Sequence, residues 1–139
     1  EPYFTEGVRI GDVLVTQESV RAVQLAKGAI AAGIEILTDA FGIGLADIDR
    51  VVLAGGFGYY LDPQAAADIG LLPGKLTLRT VTGGNTALSG AALVGSRLLT
   101  EKGKIQDDLR ERQNLKIKIL NLAEEEKFSE TFLKKMDFG

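Results

Sequence analysis

The sequence predicts an α/β domain, a mostly parallel sheet with packed helices. Three observations carry that prediction. Stretches with apolar residues at helical spacing alternate with short apolar runs. The run at 51–53 is not interleaved with polar residues, the pattern of a parallel strand covered on both faces. Two runs end in glycine pairs, Gly55-Gly56 and Gly83-Gly84, each followed by a helix-start signal. Helices alternating with strands in one chain indicate this class.

The elements follow in order. Residues 1–12 read as irregular, with a short strand near 13–15. Thr16 is placed to cap a long helix in which Val20, Val23, Ala26, Ile30, Ile34, Leu37 and Phe41 recur at helical spacing. Gly28 and Gly33 each weaken that helix by about 1 kcal/mol relative to alanine, so they mark either a break or close packing. Gly42 and Gly44 end it. A strand is expected over 49–54. Asp62 then caps a short helix, with Pro63 at the first position, where a missing N–H costs nothing. "KLTLRTV" reads as the next strand and "TGGN" as a second glycine turn. Asn85 caps "TALSGAALVGSRLLTEK", whose small residues Ala87, Gly90, Ala91 and Val94 predict a helix packed tightly on the sheet.

After Gly103 the composition changes. The last 39 residues hold 9 of the 16 basic and 9 of the 19 acidic residues. "KIQDDLRERQN" is expected as a helix, "LKIKIL" as an alternating strand and "EEEKFSETFLKKM" as a closing amphipathic helix. Residues 1–103 therefore read as one subdomain, and 104–139 as a charged helix-strand-helix extension packing on the same domain.

Composition excludes several functions. A net charge of −3 gives no field to attract nucleic acid. The chain has no cysteine, hence no disulfide, thiolate metal site or cysteine-held cluster. It also has no histidine, the commonest general base and metal ligand. No apolar run approaches the ~18 residues of a membrane span, and no signal peptide is visible. The chain opens with Glu1, so a piece of a longer protein is expected. Neither a catalytic nor a metal-ligating residue is identified.

The segment "VVLAGGFGYYLDP" carries the main motif. Glycine after a strand serves a positive φ or the close approach of a ligand to bare backbone. The carboxyl edge of an α/β sheet is where ligands usually sit. A tight turn with no ligand fits the same residues equally well. "GFGYYL" lacks the third glycine of a dinucleotide fingerprint, and no acidic residue ends the next strand. Upstream, Gln24, Lys27, Gly28 and Ala31 share a helix face that is small and polar at one end. Helix packing with a solvent-facing lysine is the plainer reading of that face. Gly83, Gly84 and Asn85 feed a helix whose free N–H groups suit an anion or a base edge. Tyr59 and Tyr60 read as core-edge residues or as a lid. Asp62 and Asp68 read as a cap and a surface charge.

"VVLAGGFG", preceded by "QLAKGAI" and followed by "GNTALSGAAL", resembles the adenosine-binding half of the actin-like ATPases, which have a ribonuclease-H-like fold. The resemblance implies that Gly55, Gly56 and Phe57 meet adenine and ribose. It places Gln24, Lys27 and Gly28 on a facing helix and Gly84 and Asn85 at the rim. Chaperones of that superfamily have an acidic residue where Gln24 stands and a basic one where Gly28 stands. The longer wording, over residues 10 to 138, is similar to the C-terminal part of reductive activators of corrinoid proteins. That implies ATP or ADP with Mg²⁺ in the parent, and a [2Fe–2S] cluster in a domain absent from this chain. It further implies a corrinoid iron–sulfur protein or corrinoid methyltransferase as partner, reduction of cob(II)alamin to cob(I)alamin, and a cytoplasmic setting. The superfamily's two phosphate loops have no counterpart here, so the fragment alone is expected not to hydrolyse ATP. A non-catalytic dimerisation or partner-binding module, a homodimer included, is an alternative reading. Another actin-like-fold kinase is a further one.

Overall fold

The computed structural model describes residues 7–100 and 118–138. The described elements run β1 (Val8–Ile10), β2 (Val13–Val15), α1 (Gln17–Phe41), β3 (Val51–Ala54), α2 (Gly55–Tyr60), α3 (Pro63–Asp68), β4 (Thr80–Gly84), α4 (Thr86–Thr100) and α5 (Phe128–Met136). Short 3-10 segments lie at Leu45–Asp47, Gly74–Arg79 and Leu122–Glu124. The predicted α/β class holds. β3 and β4 pair in parallel, while β1 and β2 form a separate antiparallel hairpin around Gly11. β1 was expected as irregular chain.

α1 is one unbroken helix of 25 residues. Thr16 Oγ1 accepts from Ser19 N–H at 3.1 Å, and Ser19 Oγ accepts from Thr16 N–H at 3.4 Å, a capping box. Gly42 ends the helix in the left-handed region at φ 69°. Gly28 and Gly33 therefore mark close packing, not a break. A Cβ on Gly28 would lie 2.9 Å from Met136 Cγ and 3.3 Å from Phe132 O, and one on Gly33 would lie 3.3 Å from Leu122 Cδ1. Their smallness lets α5 and the segment before it lie down on α1.

The core is Ala66, Leu71, Leu72 and Leu76, with Ile34, Leu45, Ile48, Val51, Leu61 and Ile69 packed around it. It sits between α1, α3 and the 3-10 segments. Asp62 Oδ1 caps α3 by accepting from Ala65 N–H at 2.7 Å, as its position before Pro63 predicts.

The strand expected at "KLTLRTV" is displaced. Residues 74–79 form a 3-10 segment that buries Leu76 and leaves Leu78 in solvent. The Arg79 guanidinium donates to Ala46 O at 2.8 Å and to Ile48 O at 2.7 Å, and the Thr80 hydroxyl donates to Leu76 O at 2.8 Å. These bonds satisfy carbonyls in a way a strand would not. β4 consequently starts at Thr80 and runs through Gly84, so the expected "TGGN" turn is mostly strand.

Two expectations of burial are corrected. Val52 and its register partner Val81 are both exposed, so the sheet is covered on one face, not two. α4 has no buried residue, and a Cβ on Gly90 or Gly95 would meet nothing within 4 Å. Among the described residues nothing lies over that sheet face or that helix, because only two parallel strands are present to organise cover. The helix expected over 104–114 lies outside the described residues, as do positions 115–117 of the expected strand. Residues 118–120 are not strand.

Candidate functional site

The three glycines after β3 answer to three different constraints. Gly55 starts α2 at φ 83°, a conformation side chains disfavour. Gly58 is buried, and a Cβ there would lie 2.9 Å from the Leu53 carbonyl carbon. It lets α2 fold back against β3. Gly56 is neither strained nor crowded: a Cβ would meet nothing within 4 Å. Phe57 is the third residue of α2. The helix over 55–60 was not expected from the sequence, because three glycines in six residues argue against one.

β4 brings the second glycine pair alongside. Ala54 pairs with Gly84, and the register shift after Leu53 leaves Gly83 as an extra residue. A Cβ on Gly83 would lie 2.8 Å from Val52 Cγ1 and 2.9 Å from Thr86 Cγ2, so packing demands glycine there. Gly84 adopts φ 61°. Asn85 Oδ1 accepts from Leu88 N–H at 3.0 Å and caps α4. The ring of Tyr59 stands beside Gly84, 3.7 Å from where a Cβ would be, and is 61% exposed. Tyr60 packs edge-on against it, with ring centroids 4.9 Å apart. The carboxyl ends of two adjacent parallel strands thus expose bare backbone at Gly55 and Gly56, with the amino end of a 15-residue helix next to it.

The α1 residues lie in different company. Gln24 is half-buried, Gly28 is buried under Met136, and Lys27 is 2% exposed. The Lys27 ammonium donates to the backbone carbonyl of Asp137 and stands 4.8 Å from the centre of the Phe138 ring. A Cβ on Gly70 would lie 3.3 Å from Lys27 Nζ. Lys27 also lines a cavity of about 370 Å³ with Ile34, Glu35, Leu72, Lys134 and Lys135. Gly55, Gly56, Gly84 and Asn85 do not line it. The structure therefore groups the four strand-end residues together and groups Gln24, Lys27 and Gly28 on the helix that receives α5. The tail residues Asp137 and Phe138 escaped sequence reading. Their one signal was the amphipathic "FSETFLKKM" that delivers them.

Charge around α5 is mostly surface charge. Lys135 Nζ lies 2.8 Å from Glu35 Oε2 and ties α5 to α1. Lys134 lies 2.6 Å from Glu130, four residues earlier. That hydrogen bond, with the ion-pair attraction, holds the Glu130 carboxyl below its ordinary pKa and the Lys134 ammonium above its own. The pair's contribution is lost as pH falls through the lowered Glu130 value or rises through the raised Lys134 value, so it is intact at neutral pH. Among the described residues no group of three or more Asp, Glu, His or Cys is arranged to hold a metal, and no helix is long and apolar enough to cross a membrane.

Comparison with known proteins decides the family. Residues 4–139 match the family described as the C-terminal domain of RACo, the ASKHA domain. The chain belongs to that family. This RACo-type domain is 38% identical over 128 residues to the corrinoid activation enzyme RamQ of Eubacterium limosum, covering 92% of the chain and 21% of RamQ. It is similar to the solved structure of a reductive activator for corrinoid, iron–sulfur protein, with a TM-score of 0.70 and 32% identity. That match covers 88% of this chain and 19% of the activator. The RACo-type domain thus spans about a fifth of the length of these relatives. Its fold is the actin-like one that the glycine motifs resembled.

Proposed function

We propose that this RACo-type domain is the adenosine-side part of an ATP-dependent reductive activase. In that reading the intact protein binds ATP with Mg²⁺ and reduces cob(II)alamin to cob(I)alamin in a corrinoid iron–sulfur protein or corrinoid methyltransferase. The electron comes from a [2Fe–2S] cluster held elsewhere in the protein, because this chain has no cysteine to ligate one. In the same reading the protein works in the cytoplasm.

The observation that carries the reading is Gly56. Its neighbours Gly55 and Gly58 are glycine for reasons internal to the fold, φ and crowding respectively. Gly56 shows neither constraint, and it lies exposed at the carboxyl ends of β3 and β4, the side on which α/β sheets bind ligands. A flat base and ribose against Gly55, Gly56 and Phe57, with Gly84 and Asn85 at the edge, use that space. In the same reading Lys27, on the face of Gln24 and Gly28, supplies a cation to the nucleotide. Hydrolysis needs phosphate positioning and Mg²⁺ carboxylates, which belong to the rest of the protein.

The test is Gly56→Val in the full-length activator. Valine strains no positive φ there, and its Cβ has open space around it. The expected result is a loss of ATP affinity of at least tenfold by calorimetry, with an unchanged melting temperature without nucleotide. Unchanged ATP affinity overturns the assignment.

A further inference from the structure

Lys27 is the most deeply buried charge among the described residues, yet the two residues that meet its ammonium, Asp137 and Phe138, are themselves exposed. The cover is α5 with Asp137 and Phe138, and α5 has no buried residue of its own. α5 packs along α1 through Phe132 and Met136 over Gly28 and through the half-exposed Lys135–Glu35 pair, whereas Asp137 and Phe138 lie beyond the helix end and meet Lys27. Exposed residues beyond a helix end open at lower free energy than the core. The Lys27 ammonium is meanwhile poorly served. It has a neutral carbonyl and a ring face, and among the described residues no carboxylate forms an ion pair with it. A buried ammonium gains more from an anion than from a carbonyl. The cavity of about 370 Å³ that opens beside Lys27 is also lined by Lys134 and Lys135, although Glu35 and Asp137 reduce its positive charge.

We propose that residues 136–138 form a releasable strap that competes with an anionic ligand for Lys27. With the strap closed, its carbonyl and ring hold the ammonium away from ligand. When an anion engages Lys27, the Asp137 and Phe138 contacts break and the C-terminal helix loosens from α1. Linkage makes the effect reciprocal: strap removal tightens the anion by the factor with which the anion opens the strap. For the identity of the anion, a nucleotide phosphate, the proposal rests on the function proposed above.

The experiment uses the full-length activator, a version ending at Met136, and Phe138→Ala as the milder lesion. Acylation of Lys27 by an amine-reactive ester is followed by peptide mass spectrometry, with exposed Lys75 as the internal reference. The expected result is Lys27 labelling at least tenfold faster in the shortened protein and severalfold faster in Phe138→Ala, with Lys75 unchanged. Lys27 labelling equal to that of the intact protein in both variants overturns the strap. MgATP added to the intact protein is expected to speed hydrogen exchange in residues 128–138. The shortened protein is expected to bind MgATP severalfold more tightly. MgATP that binds but changes neither exchange nor affinity overturns the competition. If MgATP does not bind the intact protein, the nucleotide reading fails, and the labelling comparison alone decides the strap.

Discussion

Gly56 and Gly58 sit two residues apart under opposite demands, one facing open space and one pressed on Leu53. Sequence reading treats such neighbours alike, because a glycine's letter does not say whether φ, crowding or a ligand requires it. Lys27 poses the same problem in another form. Its helical spacing placed it on a polar face, yet its charge ends under a tail more than a hundred positions away in sequence. The core leucines are simpler. Leu76 is 1% exposed and packs with Ala66, Leu71 and Leu72, so Leu76→Ala is expected to cost about 2–5 kcal/mol. Urea unfolding of the domain checks this. Leu78→Ala, two positions on and fully in solvent, is expected to leave the midpoint unchanged, which a strand reading of this segment would not predict.

Elements were legible where one residue settles a boundary. Thr16, Gly42, Asp62 and Asn85 are caps in sequence and in structure. Legibility failed where tertiary bonds override local pattern. The alternating "KLTLR" is wound into a 3-10 turn by Arg79 reaching carbonyls at Ala46 and Ile48, and no local rule anticipates that reach. The hairpin strand β1 was missed because three residues are too few to show a period. Of the candidate site, strand and cap signals made each glycine pair and Asn85 legible singly, the family resemblance joined them, and the β3–β4 register brings them side by side. That Lys27 lies under the C-terminal tail was not, because the contact is non-local. The two glycines of α1 now separate. Gly33→Ala meets only the flexible end of Leu122 and is expected to stabilise by up to about 1 kcal/mol through helix propensity. Gly28→Ala drives a methyl against Met136 Cγ and the Phe132 carbonyl, so overpacking of about 1–3 kcal/mol is expected to cancel or exceed that gain. Thermal melts should put Gly33→Ala above the parent and Gly28→Ala at or below it, and hydrogen exchange in α5 should rise only for Gly28→Ala.

At the scale of the molecule, the described parts are unevenly finished. One face of the β3–β4 pair is covered, while Val52, Val81, Leu88, Leu93, Leu98 and Leu99 are exposed. A parallel sheet normally carries helices on both faces, and a two-stranded one is marginal alone. The domain by itself is therefore expected to self-associate above micromolar concentration, and Leu88→Lys with Leu99→Lys is expected to hold it monomeric in light scattering. Those same changes in the full-length activator should lower its melting temperature if α4 is covered there. The edge-to-face pair Tyr59 and Tyr60 has a practical corollary. The chain contains no tryptophan and three tyrosines; Tyr59 stands beside Gly84 and Tyr60 packs on Tyr59. Ultraviolet emission from the isolated domain is thus an inbuilt optical gauge of those strand ends, and a purine settling there should dim it without any attached dye.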